Sequence, residues 1–318
     1  MGLLFSGMTI GTTVTLVLFI GAWLLINEIA RRSKLMSIVV FCVLPIVLAV
    51  LVAAGLMGSP TGKTWFGWVK VVSALIGVYG FLLIRHTSLG EKKFAAIFPV
   101  SILSLNIAEA VYREFEVFAT YKTLTTDAGG ILIQGGGWNI FNAISGIFCI
   151  VTLVGFIGIR VSKDSSRDMV WPDMTWIYIV AYTLWNFAYV YNCISTRSMY
   201  AGFGILIAAL IAELFFKQGV WLQHRAQILS VYAMFSLSID YQAMSGFQIY
   251  PTYTPQAMWT ISLVGFVFNL GAFAYMVYTA RNQNKHLLKD EIYTEMPYYK
   301  KSMAVNNLIE SNKVRKAS

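Results

Sequence analysis

The chain has 318 residues, of which 57% are apolar and 12% charged, and its mean hydropathy is +0.65. Ordinary soluble domains carry about 25% charged residues, so this composition argues against a soluble globular protein and for a membrane-embedded one. The net charge of +9 follows the ends of apolar segments rather than one patch, which argues against a nucleic-acid partner.

Taken in chain order, nine apolar runs are long enough to cross a hydrocarbon layer of about 30 Å. They are Met8 to Ala30, Leu35 to Gly58, Trp65 to Ile84, Phe94 to Tyr112, Trp138 to Ile159, Val170 to Ile194, Ser198 to Phe216, Gly219 to Ile239 and Pro255 to Thr279. The first run has no basic stretch before it and is followed by Arg31, Arg32 and Lys34, the reverse of a cleavable signal, so it reads as an uncleaved span. Pro45 and Pro99 fall inside runs, where they are expected to kink a helix. Small residues at helical spacing, Gly204, Ala208 and Ala212 in the seventh run and Gly155 with Gly158 in the fifth, suit close helix contact. The predicted fold is therefore all-α, a polytopic bundle over residues 1–281, followed by a polar tail over 282–318 that is expected to be partly disordered. Cys42, Cys149 and Cys193 are scattered among apolar residues without ligand spacing and read as buried fillers.

Lys and Arg divide the connections into two sets. Arg31, Arg32, Lys34, Arg85, Lys92, Lys93, Arg160, Lys163, Arg167, Lys217, Arg281, Lys285 and Lys289 share one side, against Lys63, Arg113, Lys122 and Arg197 on the other. The positive-inside rule then places the N-terminus outside and the C-terminus in the cytoplasm, which requires an odd number of spans. The long external connection, Glu114 to Gly137, holds two glycine-rich stretches that suit a lid, a re-entrant turn or a plain linker. The other external loop, Tyr241 to Pro255, is aromatic and stiffened by proline.

Ionisable and amide side chains within spans are costly and so carry information. Counted at 1.5 Å per residue, Lys70, Asn142, Glu109 and Asn186 fall in one layer about 6 to 8 Å below the external face. Asn106, Glu109 and Arg113 lie at i, i+3 and i+7, on one helix face. Lys70 is the expected partner of Glu109, with Arg113 competing. Trp65, Trp68, Trp138, Asn139, Trp185, Tyr189, Tyr191 and Asn192 surround this layer. An aromatic-lined cavity with convergent polar groups is how small-molecule sites are built, although polar glue between helices and an interfacial aromatic belt would use the same residues. A second polar layer on the cytoplasmic side comprises Asn27, Glu28, Arg31, Asp173, Glu213, Gln223, His224 and Arg225, with Glu28 or Glu213 expected to neutralise Arg225. Snorkelling to the headgroups is the competing explanation there.

No phosphate-binding glycine loop, zinc-protease motif or serine-hydrolase motif is present, and the three histidines are too scattered for a metal cluster. No catalytic residue, metal or cofactor is expected. The stretches Asn27 to Lys34, Trp68 to Ala74, Met169 to Asp173, Trp185 to Cys193 and Trp221 to Gln227 resemble those of a bacterial multi-pass membrane family with no assigned function. That resemblance spans nearly the whole chain and implies a bacterial cytoplasmic membrane, with lipids as surroundings. The leading functional expectation is a transporter or binder of a small polar or zwitterionic solute at Lys70, Asn106, Glu109, Arg113, Trp138, Asn139, Asn142, Trp185, Asn186 and Tyr189. The alternatives are an enzyme acting on a lipid-linked substrate, with Glu109, Asp173 or His224 as acid or base, and a membrane sensor or scaffold. Nothing in the residues sets the oligomeric state.

Overall fold

The computed structural model describes residues 2–127 and 130–309, with the side chains of Trp65 and Phe66 outside that description. Each of the nine apolar runs contains a helix. These are α1 (Ile10–Arg32), α2 (Lys34–Ala53), α3 (Trp65–His86), α4 (Ile97–Thr120), α5 (Gly137–Val151), α6 (Trp176–Cys193), α7 (Ser195–Phe216), α8 (Trp221–Ser238) and α9 (Pro255–Asn282), followed by a short α10 (Pro297–Val305). Polar residues at the runs' borders start the helices. The Thr9 hydroxyl accepts from the Thr12 amide, Ser33 from Met36, Thr64 from Gly67 and Thr254 from Ala257, which satisfies otherwise orphaned amides. Before Pro45, residues Val39–Val43 of α2 widen into a π turn, which accommodates the missing N–H and the bulk of the ring. Pro99 sits in the first turn of α4, where a missing N–H costs little.

Among the described residues six helices are long and apolar enough to cross a membrane: α1, α2, α3, α4, α7 and α9, where α4 is extended at its start by a tight turn from Lys93. The other three fall short for physical reasons. α5 has 15 residues, and α6 and α8 have 18 each with many polar side chains. α6 and α8 are enclosed by other helices on nearly every side, so polar groups on them meet protein rather than lipid.

Several helix ends depart from the sequence reading. α4 continues to Thr120, because Ile107, Ala110, Glu114 and Val117 keep one buried face through the stretch expected to be loop. α5 stops at Val151, and Gly155 turns the chain with a left-handed φ of 64°, so Gly155 and Gly158 sit in a turn rather than at a helix interface. α6 begins only at Trp176, after Met169–Val170 has paired with Arg160–Val161 as a two-residue ribbon.

The connections gather into two faces. On one, Phe5–Ser6 pairs with Tyr250–Pro251, Gly58 bridges to Ile239, and Ser195 donates to the Leu132 carbonyl. On the other, Arg85 reaches the carbonyls of Arg31, Ser166 and Arg167. The helices pack in two groups. α9 lies against α5 and α6, and α4 against α5, while α8 is packed by α1, α2, α3 and α7.

Residues 283–309 of the polar tail lie against the bundle. Backbone amides of Ile292 and Tyr293 donate to Asp173 at 3.0 and 2.7 Å, and the Tyr298 hydroxyl donates to Glu213. Asn306 caps the Gln218 carbonyl at 2.8 Å. A short polar segment needs no long apolar period when buried acids on the bundle supply its acceptors. Residues 310–318 lie outside the described residues.

Candidate functional site

A cavity of about 480 Å³ lies between the two helix groups and opens among the connections of the less basic face. α3 contributes Lys70, α4 contributes Asn106 and Arg113, α6 contributes Tyr182, Asn186 and Tyr189, and α8 contributes Arg225, Tyr232 and Ser236. Arg225 and Ser236 mark its extent along α8, about 16 Å at the helical rise. α6 and α8 face each other across this space.

Polar contacts bridge the groups at two depths. Lys70 Nζ pairs with Glu109, as expected, and both side chains keep partial exposure, 24% and 22%. Deeper in, Arg225 Nη2 donates to Asn186 Oδ1 at 3.3 Å. Arg113 does not compete for Glu109. It pairs with Glu116 at 2.8 Å and Asp127 at 3.3 Å, at the mouth. Asn106 borders the cavity while its Nδ2 donates back to the Ile102 carbonyl at 2.8 Å. Thus Lys70, Asn106, Arg113, Asn186 and Tyr189 converge, with Glu109 behind Lys70.

Four expected lining residues do not. Asn139 and Asn142 turn away and donate to Glu114, which is fully buried, Asn142 at 2.6 Å. Trp185 donates its indole N–H to the Asn142 carbonyl at 3.1 Å and stacks behind Tyr189, supporting the wall without facing the space. Trp138 packs edge-on against Trp259. Among the surrounding aromatics, Trp68 donates to the Gly62 carbonyl and Tyr191 to the Leu4 carbonyl. The Trp65 side chain lies outside the described residues. Equal depth places residues in a layer but leaves their rotation about the helix axis open, and rotation decided these assignments. Glu114 itself was hidden in the sequence by its position past an apolar run. The i, i+3, i+7 and i+10 progression of Ile107, Ala110, Glu114 and Val117 is the signal that finds it.

The second layer resolves into separate contacts. Glu28 accepts from Arg31 at 2.9 and 2.7 Å and from Arg32 at 3.0 Å. Arg31 also pairs at 2.7 Å with Asp168, which takes a further bond from Gln223 at 2.8 Å. Burial alone would raise the Asp168 carboxyl, but Arg31 and Arg85 reverse this and hold it below its usual range. His224 Nδ1 lies 2.9 Å from Asn27 Nδ2 and its Nε2 lies 3.2 Å from the Lys217 carbonyl. That pairing assigns the tautomer with the proton on Nε2 and fixes the ring between helices. Asp173 and Glu213 hold the tail.

Arg225 is corrected. Neither Glu28 nor Glu213 pairs with it, and it belongs to the cavity instead. Arg225 stands one turn into α8, and its long stem carries the guanidinium into the interior space rather than to the nearer headgroups.

The described residues contain no cluster of His, Cys, Asp and Glu that could hold a metal ion. A family described as a family of unknown function (DUF5692) matches residues 7–305, so the chain belongs to it, and the resemblance to an uncharacterised family is borne out. No curated protein and no solved structure matches the chain.

Proposed function

We propose that this member of a family of unknown function is a multi-pass membrane carrier or binder of a small polar solute. It would be held in the cavity between its two helix groups. The observation carrying this reading is a space of about 480 Å³ lined by polar groups from several helices, a size and construction typical of small-molecule sites. Nine passes, with the start of α1 outside and the basic face in the bacterial cytoplasm, agree with the Lys and Arg distribution. On that topology the cavity opens outward.

Beside the cavity, Lys70 with Glu109 and Arg225 with Asn186 join the two groups. Polar bridges of this kind can be exchanged for contacts to a solute, which supports movement of one group against the other.

Ser236→Cys in a Cys42→Ser, Cys193→Ser background tests the reading. A membrane-impermeant thiol reagent added to intact cells is expected to label it. Labelling only in inside-out vesicles, or none at all, would refute an outward-opening cavity.

A further inference from the structure

We infer that the cavity takes a compact, water-soluble carboxylate or phosphate anion, with the Arg225 guanidinium as its anchor and the Tyr189 hydroxyl as a second donor. This rests on the cavity reading above and specifies its solute. Five basic residues line the space, Lys63, Lys70, Arg113, Arg197 and Arg225, against the two acids Glu116 and Asp127. Both acids pair with Arg113, and Lys70 is taken by Glu109. Among the described residues no carboxylate pairs with Arg225.

Arg225 is the decisive case. The residue is only 5% exposed, its Nε and Nη1 have no hydrogen-bond partner among the described residues, and the guanidinium's other neighbours are neutral, the Asn186 amide at 3.3 Å and the Tyr182 hydroxyl. An arginine so placed carries unspent N–H donors and an unneutralised charge, an arrangement costly in a membrane interior. The Tyr189 hydroxyl, on a residue 4% exposed, is likewise without a partner. Unpartnered buried donors on two residues that line one cavity call for an acceptor-rich anion. The planar guanidinium matches carboxylate or phosphate oxygens in particular. A cation would meet net repulsion. A zwitterion's ammonium would have to displace Arg113 from Glu116 or Asp127.

The test uses the full chain in nanodiscs and follows thermal stabilisation by inorganic phosphate, succinate and benzoate. Glycine betaine, choline and a short-chain phosphatidate serve as comparisons. At least one of the three soluble anions is expected to stabilise the protein, with its apparent Kd weakened ten-fold or more in Arg225→Met and several-fold in Tyr189→Phe. Arg225→Lys keeps the charge but loses the fork, so it is expected to fall between wild type and Arg225→Met, and it carries the test if the methionine variant does not fold. Binding of betaine or choline without any anion would overturn the inference. So would binding of the phosphatidate alone, undiminished anion binding in both Arg225 variants, or no response to any probe. In each of those cases, labelling of Ser236→Cys from outside would show that the cavity reading survives. Failure of that labelling would be the separate failure of the cavity itself.

Discussion

Single buried residues carry unequal weight here, and their partners say why. Glu114 accepts from the amides of Asn139 and Asn142, and replacing it by leucine orphans two buried donors, each worth about 1 to 3 kcal/mol. Glu114→Leu is expected to lower stability by about 3 kcal/mol in thermal unfolding, whereas Glu114→Gln should stay within about 1 kcal/mol. The reason is specific: Asn142 Oδ1 has no partner among the described residues, so that amide can turn over and accept from the new side chain. Equal losses in both variants would contradict it. Asp168 poses the ionic version. It joins Arg31 to Gln223 and lies 3.6 Å from Arg85, with no exposure. Asp168→Asn is expected to cost about 3 kcal/mol because it takes from the buried Arg85 its anion and from Arg31 one of two. By contrast Arg32→Gln, whose side chain is 66% exposed beside Glu28, should cost under about 1 kcal/mol. Comparable denaturation midpoints for the two would refute that ranking. At this scale the sequence was partly legible. The Lys70 and Glu109 pair followed from matched depth, while Glu114 and Asp168 did not, because their burial depends on helix rotation and loop packing.

At the scale of elements, helix positions were readable from apolar runs, and their ends were not. The turn after α5 shows the cause: Gly155 adopts φ 64°, and a Cβ there would lie 1.6 Å from an Asp173 carboxylate oxygen. Neither an apolar period nor a capping residue announces such a contact between distant loops. Gly155→Ala should therefore do more than strain a left-handed residue by about 1 kcal/mol. It should push Asp173 off the amides of Ile292 and Tyr293 and release the tail, seen as faster hydrogen exchange over residues 290–306. Unchanged exchange would argue against the linkage. The same carboxyl makes tail docking pH-dependent. Burial raises it to about 7 from an ordinary 3.8, against the pull of the two backbone amides. The docked state thus binds a proton that the released state does not across that window, so docking strengthens as pH falls from about 7 towards 4 and its contribution is lost as pH rises through 7. Exchange protection at Ile292 and Tyr293, corrected for intrinsic rates, should rise on acidification in wild type and be flat in Asp173→Asn. The opposite slope would show that the charged carboxylate is the docking form. Asp164 works in the other direction. Burial would raise it, yet Lys217 and the Ser166 and Ser162 hydroxyls hold it at about 2, so it stays ionised throughout that range.

For the whole molecule, the distribution of apolar surface separates what faces lipid from what faces the cavity. Val17 and Leu18 on α1, Ile46 and Val47 on α2 and Val267 on α9 are exposed large apolar side chains, a pattern that in water would invite aggregation and in a bilayer meets acyl chains. The enclosed pair α6 and α8 carries Tyr182, Asn186, Tyr189, Arg225 and Tyr232 of the cavity lining, so much of the polarity sits inside the bundle and apolarity outside. This inversion explains why a search for long apolar segments finds six helices while the charge alternation calls for an odd number: the innermost helices are under the weakest pressure to be apolar. Spin labels can test the arrangement in one experiment. In liposomes, labels at Leu18→Cys, Val47→Cys and Val267→Cys are expected to be accessible to oxygen, which partitions into the hydrocarbon, and shielded from a water-soluble nickel chelate. A label at Ser236→Cys should show the reverse, since it lines a space open to water despite lying on an enclosed helix. Nickel access at the three belt sites would remove the case for lipid contact, and oxygen-dominated relaxation at position 236 would mean that the space between α6 and α8 is filled by acyl chains rather than by water and solute.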